Sequence, residues 1–134
     1  MYHGTDYPIE EFDLSENPSS RCFDLCLTDD DSIAEMYATR WGGPESVPTI
    51  IEVELVGDLK IASFKEAMAL IGECAEMMTT SDAFHAVDSN RAAFLAAGFD
   101  GVRYPDQLPG TAEVFECTRI YTEEKVRLVS SWTV

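Results

Sequence analysis

The sequence predicts an α+β fold, and three observations carry that prediction. Short alternating apolar stretches mark strands near both ends of the chain, capped amphipathic stretches lie between them, and strands crowd into the last third. The order reads β-loop-β-α-β-α-α-β-β-β, without the regular alternation of a doubly wound parallel sheet. The Gly-x-Gly-x-x-Gly dinucleotide fingerprint is also absent, so any dinucleotide site must be built another way.

Taken in order, Tyr2-His3 opens a short strand expected to turn at Gly4. Residues 6–21, polar and holding Pro8 and Pro18, read as a loop. Phe23 to Leu27 reads as a strand. Thr28 is the expected N-cap of a helix whose acidic start suits the positive end of the helix dipole. Its apolar face collects Ile33, Met36, Tyr37, Arg40 and Trp41, and Gly42-Gly43-Pro44 stops it. Ile51, Val53 and Leu55 alternate with Glu52 and Glu54 in a half-buried strand closed by Gly57-Asp58. Ser63 and Glu66 form a capping box for a helix of about fifteen residues with a stripe from Phe64 to Met78. A third helix is expected from Ser89 to Ala97, ending at Gly98. Val102 and Tyr104 then start a strand, residues 105–110 form a loop, and Val114 to Glu116 begin another strand. Val126 to Thr133 is the last strand, with Leu128 and Trp132 inward.

At 134 residues the chain has the size of a single domain, expected to span 1–134. Charge is its outlier: 25 Asp and Glu against nine Lys and Arg give a formal charge of −16. A field of that sign repels nucleic acid and anionic membranes and attracts basic proteins. It is also the charge of a highly soluble surface, or of one that imitates DNA phosphates. Asp6, Glu10, Glu11 and Asp13 interrupt the N-terminal region, so no secretory leader is expected, and no apolar run reaches membrane-span length. Cys22, Cys26, Cys74 and Cys117 show neither a disulfide framework nor zinc spacing, and no His/Cys/Asp cluster has metal spacing. A cytoplasmic location and no bound metal are the expectations.

Four segments stand in a telling order: Tyr2-His3-Gly4-Thr5; Phe23 through Tyr37 with Ala34-x-x-Tyr37-Ala38; Ala97-Gly98-Phe99-Asp100-Gly101-Val102; and Gly110-Thr111-Ala112-Glu113-Val114-Phe115. Together they resemble the ADP-ribosyltransferase superfamily, in its diphtheria-toxin-like and poly(ADP-ribose)-polymerase-like branch, across nearly the whole chain. In size, acidity and an N-terminal His-Gly pair the chain also resembles the ADP-ribosylating anti-CRISPR proteins of phages, which would place it in a bacterial host cytoplasm. The resemblance implies a small fold of two packed, mostly antiparallel sheets flanked by helices, with NAD as co-substrate and a protein as acceptor.

That chemistry breaks the nicotinamide–ribose bond through an oxocarbenium-like state, which calls for a nearby carboxylate and a rigidly held leaving ring. By resemblance, His3 hydrogen-bonds a ribose hydroxyl, while Gly4 and Thr5 bring backbone amides to the carboxamide. Tyr37 stacks on nicotinamide, and Phe23 lines its pocket. Each has a plainer reading: His3 as a strand-end cap, Gly4 as a turn, Tyr37 and Phe23 as core. The catalytic acid is Glu113, at the start of the late strand, or Asp106, after Gly101-Val102-Arg103-Tyr104-Pro105. Either could equally be a solvated loop acid. Glu116, three residues after Glu113, does not make the Glu-x-Glu of arginine-modifying enzymes. Arg21, Arg40 and Arg103 are candidates to offset the pyrophosphate, and His85 has no partner motif.

Two other functions fit the same sequence. An acidic DNA mimic would occupy a nucleic-acid groove without NAD, and an NAD glycohydrolase would use water as acceptor. The transferase reading places ADP-ribose on a basic or nucleic-acid-binding protein, with a CRISPR effector as the extreme case, and involves no direct nucleic-acid or membrane binding.

Overall fold

The computed structural model describes residues 1–5, 25–40, 46–107 and 112–134. Among them the protein is α+β, with four helices and two mostly antiparallel sheets. The chain forms two compact units, Met1–Gly57 with Glu123–Val134, and Asp58–Thr122. No helix among the described residues is long and apolar enough to cross a membrane.

The first unit is built on a sheet of order β1-β3-β7, with β1 at Tyr2–Thr5, β3 at Thr49–Leu55 and β7 at Val126–Thr133. Both pairings are antiparallel, and β7 carries a register shift opposite Glu52/Val53. β1 runs straight through Gly4 rather than turning there. The ladder pairs Gly4 with Ile50 and Thr5 with Thr49, holding the glycine extended. On its other side, Tyr2 exchanges backbone hydrogen bonds with Thr28 at 2.8 and 2.9 Å, just after β2 (Leu25–Leu27).

Helix α1 (Asp31–Arg40) packs on β1 and β3. Its cap is Asp30, not Thr28. The Asp30 Oδ1 accepts from the Ser32 amide at 2.9 Å and the Ser32 hydroxyl at 2.6 Å, while its carbonyl accepts from the Ala34 amide. Thr28 is instead buried in the bridge to Tyr2, and its hydroxyl accepts from the Asp30 amide. The helix also presents a different face from the expected one. Ala34 and Ala38 are fully buried, whereas Ile33 and Tyr37 are half-buried and Met36 is exposed. The reason is Gly4: a Cβ there would lie 1.9 Å from the Ala34 carbonyl oxygen and 2.9 Å from the Ala38 amide nitrogen. Strand and helix approach so closely that only small residues fit between them.

The hydrogen bonds from Ser32, side chain first and then backbone, hold the Asp30 carboxyl below its usual value of 3.8. A depressed folded-state pKa contributes stability that is fully present above 3.8 and is lost as pH falls through the lower folded value. Asp30→Ser keeps a capping oxygen without the charge. We therefore expect urea midpoints of wild type and this variant to differ at neutral pH and to converge in acid. A gap that stays constant with pH would remove the carboxylate from the account.

The second unit begins with β4 (Ile61–Ala62), a two-residue strand absent from the expected order, which runs parallel to β5 (Gly101–Gln107). β5 pairs antiparallel with β6 (Val114–Ile120), and Pro105 lies within it rather than opening a loop. The imino ring is tolerated because β4 accompanies β5 only at Gly101 and Val102. The Ser63–Glu66 capping box is present, with its two reciprocal bonds at 3.1 and 3.2 Å. Its helix α2 spans only Phe64–Leu70, because Gly72 takes a positive φ of 76° and turns the chain. A single 3₁₀ turn at Ala75–Met77 follows, and then an unexpected helix α3 (Thr80–Ser89), capped by a Thr79–Asp82 box. The Asn90 junction separates it from α4 (Arg91–Ala96), a shorter form of the third helix expected from the sequence.

In the last strand Leu128 is half-buried and Trp132 is 38% exposed. Trp132 packs edge-on against Tyr2, with ring centroids 6.2 Å apart, so it borders the sheet rather than filling a core.

Candidate functional site

His3, Gly4 and Thr5 sit in β1, on the face alternation of a strand. Gly4 faces α1, so His3 and Thr5 project from the opposite face, beside Ile51 and Thr49 across the ladder. Thr5, Thr49 and Ile51 are buried, and His3 is half-buried. The His3 ring is fixed by a 2.9 Å contact from Nδ1 to the Cys26 carbonyl. A carbonyl can only accept, so Nδ1 carries the proton, and in the neutral ring Nε2 holds the lone pair. The imidazole therefore has one orientation and one tautomer, set by a backbone group of β2. Gly4 fixes the strand behind it against the α1 backbone.

Tyr37 belongs to the same unit, half-buried beside the Ala34/Ala38 stripe of α1. Phe23 and Arg21 lie outside the described residues, as do the Gly42-Gly43-Pro44 stop and Trp41.

The two candidate acids belong to the second unit. Asp106 is half-buried in β5, opposite Phe115, and its Oδ1 accepts from the Gln107 amide at 2.9 Å. Glu113 is exposed and stands immediately before β6, whose Val114 pairs with Gln107. Both acids thus lie at the same end of one hairpin. Arg103 is exposed, 3.9 Å from Glu116 on the paired strand. An ion pair that open to solvent contributes little.

The second unit also holds a charged group that the sequence reading missed. Arg119 of β6 has a side chain 1% exposed, 3.2 Å from the Asp88 carboxylate of α3, with its guanidinium 5.1 Å from the Phe84 ring centre. Phe84 in turn meets Tyr104 of β5 edge to face. Phe84 and Asp88 are four apart on α3, hence on one helix face. The sequence signal was an arginine inside the buried run Cys117–Tyr121, which needs a carboxylate partner somewhere. Near it, Asp100 is a buried acid. It accepts from the Lys60 amide and the Thr122 hydroxyl, tying the start of β5 to the segments flanking β4 and β6. Asp100 is thereby committed to holding chain segments together.

The geometry defines a small α+β protein with an oriented strand histidine in one unit and a hairpin bearing two acids in the other. Comparison with models of known families, with curated proteins and with solved structures finds no match to this chain.

Proposed function

We propose that the chain is an NAD-dependent ADP-ribosyltransferase of small ADP-ribosyltransferase-like fold, acting on a protein. The observation that carries this reading is the His3 imidazole, held in a single tautomer by the Cys26 carbonyl at 2.9 Å on a strand that Gly4 locks against α1. A ring so fixed has a set place and orientation beside a bound ribose, the positioning that an oxocarbenium-like displacement requires.

In the reaction the glycosidic C–N bond breaks and its electron pair leaves with nicotinamide, whose ring nitrogen becomes neutral. A nucleophile on the acceptor then bonds the ribose C1′ and loses its proton. Glu113 or Asp106 supplies the carboxylate that stabilises the cationic ribose. Tyr37 stacks on nicotinamide, Phe23 lines its pocket, and the backbone at Gly4 and Thr5 approaches its carboxamide. The formal charge of −16 supports a basic or nucleic-acid-binding protein as target, the CRISPR effectors among them, through electrostatic steering.

The test is a thermal-shift and ligand-detected NMR titration with NAD on wild type, His3→Ala and His3→Asn. Asparagine Nδ2 can still donate to the Cys26 carbonyl, so it keeps the tie between β1 and β2 while removing the imidazole. Wild type is expected to bind, gaining about 2.7 kcal/mol at a hundredfold excess over Kd. Both variants should bind at least tenfold more weakly, with His3→Asn keeping the wild-type melting point in the absence of NAD. The same charge favours a second reading, an acidic DNA mimic. That reading gains if wild type ignores millimolar NAD and inhibits its target stoichiometrically in a salt-sensitive way. Release of nicotinamide without a modified protein would point instead to an NAD glycohydrolase.

A further inference from the structure

The 3₁₀ turn after α2 and the face of α3 opposite it enclose an open cleft of about 380 Å³, lined by Glu73, Cys74, Met77, Met78, Asp82 and His85. Three of those six side chains are soft sulfur donors, a thiol and two thioethers, and a fourth, the His85 imidazole, is a borderline donor that also suits copper. All four line the one cleft. The Met77 amide bonds the Cys74 carbonyl at 3.1 Å, and an i, i+3 bond of this kind stacks the two side chains on one side of the turn. His85 lies one helical turn beyond Asp82 on α3, so both reach the same cleft. Cys74 is a free, exposed cysteine, His85 is exposed, and Met77 is 81% exposed, the most open large apolar side chain among the described residues. A methionine turned that far from the core presents its sulfur to solvent. Among the described residues no group of three or more His, Cys, Asp and Glu side chains is arranged to hold a metal ion, so the cleft does not present the ligand set of a zinc or calcium site.

We propose that Cys74, Met77, Met78 and His85 form a binding site for a soft monovalent metal ion of the copper(I) class. Thiolate and thioether donors select such ions over harder ones, and imidazole completes their two- to four-coordinate shells. Binding forms metal–sulfur bonds and releases the Cys74 thiol proton, with no change of oxidation state. The Glu73 and Asp82 carboxylates add negative potential at the rim, and the field of a −16 protein raises the local concentration of any cation. The site stands apart from the NAD reading and does not depend on it.

The experiment uses silver(I), a redox-inert stand-in for copper(I), titrated into the whole reduced chain in chloride-free buffer. Wild type is compared with Cys74→Ser, Met77→Leu, Met78→Leu and His85→Ala, with methionine methyl NMR as a second readout. These positions are exposed or half-buried, so the variants should fold, and unchanged metal-free melting curves check that. The expected result is a high-affinity site of one ion per chain with shifted Met77 and Met78 methyls. Since outer-shell changes alone cost roughly 10–100-fold in metal affinity, Cys74→Ser should cost about 100-fold or more, and the methionine or histidine variants at least about tenfold. Undiminished affinity in Cys74→Ser would assign the ion to another cysteine and overturn the proposal. So would losses confined to Cys74→Ser with unmoved methionine methyls, since the cysteine alone would then account for binding.

Discussion

Gly4→Ala is expected to destabilise the protein by about 3 kcal/mol, the upper range for forcing atoms into a filled interior. The new methyl would lie 1.9 Å from the Ala34 carbonyl oxygen, and its next nearest neighbours, at 2.9 Å, are again α1 backbone atoms. No side-chain rotamer can relieve such a contact; the helix itself has to move off the strand. That movement would uncover Ala34 and Ala38, both fully buried, and break the packing that holds β1 in line. Urea unfolding of wild type and Gly4→Ala measures the effect directly. A second substitution sharpens the test. Adding Ala34→Gly should give no rescue, because the clash is with the carbonyl and not the methyl. Full recovery in the double variant would mean that the Ala34 methyl, and not the α1 backbone, opposes the new side chain. The same clash makes Gly4 a poor probe of ligand binding, since any loss of NAD affinity in Gly4→Ala would be shared with loss of structure. His3→Asn is the cleaner substitution.

The second large effect belongs to Asp88. Asp88→Ala removes the carboxylate 3.2 Å from a guanidinium that is 1% exposed. Breaking a buried pair from one side costs about 3–5 kcal/mol. Asp88 itself is 34% exposed, so water screens part of the interaction, and the lower end, about 3 kcal/mol, is expected. Replacing both members, with Arg119→Met beside Asp88→Ala, should restore part of that stability, because methionine lies against Phe84 without a charge to solvate. The coupling in the double-mutant cycle is the quantity to read. If Asp88→Ala and wild type unfold at the same denaturant concentration, the pair contributes nothing and the guanidinium is satisfied by other means.

Features decided within a few residues were legible in the sequence. The Ser63–Glu66 box and the close of β3 before Gly57-Asp58 were both readable, because each depends on neighbours in sequence. The extent of α2 was not. Apolar spacing from Phe64 to Met78 continues across Gly72, and periodicity does not register the reversal that glycine permits there. Helix α3 was missed because Thr79-Thr80-Ser81-Asp82 reads as turn chemistry until the Asp82 carboxylate is seen capping the Thr79 amide. The buried face of α1 depended on a partner, since two alanines become core only when a strand without a side chain lies against them. The candidate site divides in the same way. The His-Gly pair could be seen in the sequence. The bond from His3 to Cys26 spans 23 residues, and the Arg119–Asp88 pair spans 31, and neither can be inferred without the fold.

The strand order β1-β3-β7 has a consequence for biosynthesis. The middle strand of that sheet takes one neighbour from the first residues of the sequence and the other from the last, with the whole of residues 58–122 between. On the ribosome, the second unit can close on itself as soon as its own continuous stretch has emerged. β3 must wait, one edge open, until Val126–Thr133 arrives. Its Glu52 and Glu54 are then the charges that guard a bare, β-branched edge against pairing with a neighbouring nascent chain.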